Sequence, residues 1–170
     1  DTKSGEVPTT IYNNSNGTAV LLFSAIRRAT KIVSEAHQWQ ILTAEYNFAT
    51  VNGTESYALP SAIDGTRIIE NTIWNSTLKK PLIGSHSPQE WQALKRQTIT
   101  SIDKNWRIRG GLFLITPTPT AAETIYYEYI KNTPVQSSGG TAQTDWAADT
   151  DTSVLDEFMI ELQAKWIYLD

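Results

Sequence analysis

No cysteine occurs among the 170 residues, which removes disulfides, thiol nucleophiles and thiolate metal ligands together. Histidine is nearly as scarce. His37 and His86 stand far apart, and neither sits in an H-x-x-x-H or E-x-x-H spacing that would hold a metal. Neither lies in a nucleophile-elbow motif, and each is expected at a helix end. No apolar run approaches the length of a membrane span, and no secretion signal opens the chain. Positive charge is in short supply: 14 Lys and Arg face 18 Asp and Glu, a formal net charge of -4. The total therefore does not suggest a surface that grips nucleic acid. The four N-x-[ST] sequons, at Asn13, Asn16, Asn52 and Asn75, read as chance in a chain this rich in Asn, Ser and Thr.

What is present is a globular composition. The chain is 40% hydrophobic and 19% charged, with six Trp and seven Tyr, enough to build a core of one domain's size. Residues 1–17, ending in "NNSNG", are polar and turn-rich and are expected to form an extended arm. A helix is expected over 18–39, where Leu22, Ile26, Ala29, Val33 and Ala36 form one apolar stripe. Arg27, Arg28 and Lys31 fall off that stripe and read as a solvated face.

A β-rich lobe is expected over 40–130. Asn52-Gly53, between two alternating runs, predicts a two-residue type I′ hairpin. "TRIIENTIW" is a strand candidate, and "NSTLKKPLIG" a polar turn with a short extended piece. "SPQEWQALKR" predicts a short helix over 87–97. Ser87 is its N-cap, Pro88 its first residue and Glu90 the partner in a capping box, with Trp91 and Leu94 facing inward. "WRIRGGLFLI" reads as two strands turned at Gly110-Gly111, and "TIYYEYI" as a further strand with Ile125, Tyr127 and Tyr129 on one face. Residues 131–151 are expected as a long loop. A last helix is expected over 152–169, capped by Asp151 or Thr152. Its stripe is Leu155, Phe158, Met159, Leu162, Trp166 and Leu169. No C-cap glycine or proline follows, so this helix is expected to continue in a longer parent. The order amounts to an α+β plan: two end helices packed on each other, while the middle folds as a small antiparallel β lobe that holds one short helix.

Chemistry finds little purchase. "RGGLFL" has neither P-loop nor dinucleotide-loop spacing, and a strand follows it where a phosphate site needs a helix N-terminus. Arg107 and Arg109 share one strand face beside it and suit a subunit or tail contact. A paired-carboxylate glycosidase built on Glu123 and Glu128 stays open as an alternative, as does a carbohydrate-binding β module using the aromatics. Trp146 in the long loop, and Trp166 and Tyr168 near the chain end, are large apolar groups where a monomer can hardly cover them all. They point to an assembly protein without a catalytic site, metal or cofactor.

Read in order, "HQW", "IIENTIWNSTLKKPL", "SPQEWQALKR", "WRIRGGLFLITPTPTAAETIYYEYI" and "NTPVQSSGGTAQTDWAADTDTSVLDEF" resemble the head-to-tail adaptor (connector) proteins of tailed bacteriophages, the short-tailed type above all. The resemblance covers about Val7 to Leu169. It implies an antiparallel helical core with a small β-rich lobe. It further implies a structural protein of the virion, assembled in the host cytoplasm as a ring of about twelve copies beneath the portal protein. Such a ring extends the channel through which genomic DNA passes without specific binding, and it docks the tail nozzle and fibres. By the same resemblance Trp166, Ile167 and Tyr168 belong to the portal side, and Arg107, Arg109 and Trp146 to the subunit or tail side. Family members carry a short helix ahead of the segment matching "EVPTTIYNNSNG" and continue past the last helix, so "WIYL" is expected to be the root of that extension.

Overall fold

A computed structural model describes residues 8–96 and 103–169. The chain divides into two compact units, one made of residues 1–42 and 132–170, the other of Thr43–Lys131. Among the described residues, three helices and antiparallel sheets give the α+β class that the sequence predicts.

In the first unit, helix α1 (Gly17–Ala36) packs on helix α3 (Glu157–Leu169). The Asn16 side chain caps α1 by accepting from Thr18 N–H at 2.9 Å. Ala19, Ala25, Ala29, Thr30 and Val33 are buried on its inner face, and the small residues among them let a neighbour approach closely. The described part of the arm is turned rather than extended: Asn13 has φ 53°, and the Asn14 amide donates back to Thr10 O at 2.8 Å. Residues 1–7 of the expected arm lie outside the described residues.

Two expectations for this unit are corrected. The last helix begins at Glu157, because Asp156 takes the capping role: its Oδ1 accepts from Phe158 N–H at 2.8 Å. Asp151 instead accepts from the Ala147 and Ala148 amides at 2.6 and 2.9 Å, and Thr152 is in a strand. The long loop is also not structureless. It holds β9 (Val135–Gln136) and β10 (Ala142–Gln143), which form a three-stranded antiparallel sheet with β11 (Thr152–Ser153). Two-residue strands carry no readable period, so pattern alone could not find them.

The second unit is a β lobe. Strands β1 (Thr43–Ala49), β3 (Ile63–Ile68), β4 (Trp74–Asn75) and β5 (Lys80–Pro81) gather around β8 (Thr124–Lys131). β1 pairs with β8 along its whole length, from Thr43↔Ile130 to Ala49↔Thr124. A second sheet orders β2 (Ser56–Ala58), β7 (Leu112–Thr116) and β6 (Asn105–Arg109). The Asn52-Gly53 hairpin is therefore corrected: β1 and β2 belong to different sheets, and the turn between them swings the chain from one to the other. Thr54 N–H donates to Val51 O at 3.0 Å, and only Gly53 of the pair has positive φ, at 75°, so the turn is not type I′. The "TRIIENTIW" strand breaks in two at Asn71, whose φ is 65°.

Gly110 and Gly111 do turn a hairpin, with φ 59° and 73° and with Arg109 opposite Leu112. The capping box of α2 (Pro88–Arg96) is formed in both directions: Ser87 N–H to Glu90 Oε2 at 2.8 Å, and Glu90 N–H to Ser87 Oγ at 3.3 Å. These bonds hold the Glu90 carboxyl below its ordinary pKa, with His86 adding to the effect. Gln97, the last residue expected in this helix, lies outside the described residues. Between the two sheets Trp106, Phe113 and Tyr127 stack nearly parallel, with centroids 5.5 and 5.4 Å apart. Ile63, Ile73, Leu82, Ile115 and Ile125 complete the core around them.

Candidate functional site

α3 is apolar nearly all round, and its two faces have different fates. Ile160 is buried, and Ala164 and Ile167 are half-buried, at the i, i+4, i+7 spacing of an inward stripe. Phe158, Met159, Leu162, Trp166 and Leu169 share the other face, and all are exposed, Leu169 to 83% and Trp166 to 73%. The apolar stripe expected for this helix is thus exposed within it; only Leu155, ahead of the helix, is buried. Both faces are apolar, so periodicity could not rank them, and the Ile160 face is the one that is buried where α3 packs on α1. A helix of this kind belongs in a covered setting.

The two helices leave a groove of about 360 Å³ between them, lined by Leu22 and Ile26 of α1, Ile160, Ala164 and Tyr168 of α3, and Trp146. Of the residues assigned to the portal side, Trp166 points out, Ile167 is half-buried and Tyr168 is an exposed residue at the groove.

Trp146 is half-buried, and its Nε1–H donates to Thr30 Oγ1 at 3.0 Å. That hydroxyl in turn donates to Ile26 O at 2.9 Å. Beside it Asp145 makes a two-bonded ion pair with Arg27 (Nε to Oδ1, 2.9 Å), which raises the Arg27 pKa above its ordinary value. Asp149 Oδ1 accepts from the backbone N–H of both Ile11 and Tyr12, at 2.9 and 2.8 Å, and Tyr12 meets Phe23 edge-on. Three aspartates, at 145, 149 and 151, therefore organise the loop and the arm. The signal for them was present as short acids in a Ser/Thr/Gly-rich stretch, residues that favour backbone capping.

Arg107 and Arg109 lie on one face of β6 in the lobe, the first half-buried and the second exposed. Glu123 and Glu128 have separate settings. Glu123 is buried, accepts from Asn75 Nδ2 at 2.6 Å and sits 3.7 Å from Lys104 Nζ. Glu128 is exposed on β8, directly across from Glu45 of β1. In extended backbone positions 123 and 128 fall on opposite faces. Among the described residues no group of three or more His, Asp or Glu is placed to hold a metal ion.

None of the curated proteins matches the chain. The model of the SU10 adaptor protein family matches residues 6–168. The chain belongs to that family of bacteriophage adaptor proteins, which implies a virion component at the head-to-tail junction that associates with other head and tail parts.

Proposed function

From membership of the SU10 adaptor protein family we propose that this chain is a non-enzymatic ring subunit set beneath the portal protein. The ring, of about twelve copies, extends the DNA channel and offers its far side to the tail nozzle and fibres. The observation that carries this reading is the exposed apolar face of α3, five large side chains on a helix of 13 residues. Isolated surface apolar residues are ordinary, whereas a contiguous face of them marks a protein contact. Trp166, Ile167 and Tyr168 then meet the portal, and Arg107, Arg109 and Trp146 serve subunit or tail contacts.

Charge fits a channel that lets DNA slide. Residues 1–42 and 132–170 hold ten acidic and five basic side chains, and residues 43–131 hold eight and nine. Neither part has the basic excess that would grip phosphates. Electron microscopy of the chain mixed with portal rings tests the reading. A second ring stacked on the portal with matching symmetry is the expected result; portal rings that stay bare would defeat it.

A further inference from the structure

Each of the two packed helices also carries a row of side chains that turns away from their mutual contact. On α3 the row is Phe158, Leu162 and Leu169; on α1 it is Leu21, Arg28 and Ile32, all exposed. The rows match when one is read backwards. From Leu169 the α3 row steps back seven and eleven residues, and from Leu21 the α1 row steps forward seven and eleven. Both spacings keep side chains on one helical face. Laid antiparallel, the rows set Leu169 on Leu21, Leu162 on Arg28 and Phe158 on Ile32, over about 16 Å of helix.

The charges obey the same register. The later part of α1 is basic, with Arg27, Arg28 and Lys31, although Asp145 holds Arg27 and Glu35 lies 3.9 Å from Lys31; α3 opens acidic, with Asp156 at its cap, Glu157, and Glu161 paired with Lys165 one turn on. An antiparallel pair brings these two regions together. The Arg28 side chain has no ion pair or hydrogen bond among the described residues, and its stem can cover Leu162 while its guanidinium shares Glu161 with Lys165.

We propose that α3 of one copy packs antiparallel on α1 of the next copy through these two rows, and that this repeated contact builds the ring. It rests on the ring reading above and names the surfaces that make it. The contact is heterologous, so each copy presents α3 to one neighbour and α1 to the other; it does not stop at a dimer, and the portal ring sets the rotation that closes it. One helix pair of this length lies at the small end of stable interfaces, so copies gathered on a portal hold together better than copies free in solution.

A chain without cysteine makes the test clean, since introduced thiols report only on themselves. Ile32→Cys and Phe158→Cys, singly and together, are mixed with portal rings, oxidised and run on a denaturing gel. The double variant is expected to give a ladder of covalent multimers and the single variants none. R28E should cut the ladder about tenfold, and R28E with E161R should restore it. Dimers from Phe158→Cys alone would show α3 facing itself and overturn the proposal, as would a ladder indifferent to R28E. Stacked rings in the microscope without a ladder would overturn this contact and leave the ring reading standing. Bare portal rings would remove both.

Discussion

In the lobe, Trp106, Phe113 and Tyr127 stack between two sheets and are almost wholly hidden; in the helical unit, Phe158, Leu162 and Trp166 stand in the open. The lobe has exposed apolar residues too, but Val51, Trp74, Leu78, Ile83 and Leu112 come singly from separate turns and strands. On α3 they come as one face. Both regions use similar side chains, and what differs is whether the chain itself supplies the cover. Covered apolar surface is thus concentrated in one region, and open apolar surface in the other.

That contrast can be broken first at Phe113. Phe113→Ala removes the middle of the stack, and the lobe should lose about 3–5 kcal/mol, read as a lower denaturant midpoint. Replacing a buried residue of this kind with little loss of stability would mean that the stack is not the lobe's keystone. Next is Glu45→Lys, which turns the facing Glu45 and Glu128 pair into opposite charges. It should stabilise the lobe by about 0.2–1 kcal/mol, an effect that fades in high salt. Leu162→Ser should change stability by less than about 0.5 kcal/mol while abolishing ring formation on portals, the reverse of the Phe113 outcome. A large drop in melting temperature would mean that the α3 face is core after all.

The smallest effect is at Glu90, whose carboxyl is held low by the capping bonds to Ser87. A group depressed in the folded state contributes above its unfolded pKa, and the contribution is lost as pH falls through the folded value. Glu90→Gln should therefore be less stable than the parent at neutral pH and converge with it in acid.

Local chemistry made some of this legible in the sequence. Ser87, Pro88 and Glu90 place a helix start because the partners lie within one turn, and Gly110-Gly111 places a hairpin because few residues tolerate both backbone angles. Non-local competition hid the rest. Asn52-Gly53 carries a hairpin signal, yet the strands beside it find better partners in β8 and β7. The last helix offers two apolar faces, and only packing on α1 decides which one turns in. Of the candidate residues, Trp166 is exposed, whereas the pinning of Trp146 by Thr30 spans 116 positions and has no local trace.

The helical unit is assembled from the two ends of the chain, with residues 43–131 intervening. Translation therefore delivers α1 long before the residues that cover its inner face, while the lobe arrives as one uninterrupted stretch. Domains fold largely as they emerge from the ribosome, and contacts between distant positions form late. The lobe should be native first, with α1 waiting for its partner. A chain cut short by a translation error can still hold the whole lobe but lacks α3 and the exposed apolar face that it carries. The split order of the fold thus sets the helical unit's completion after the whole of the lobe has been made.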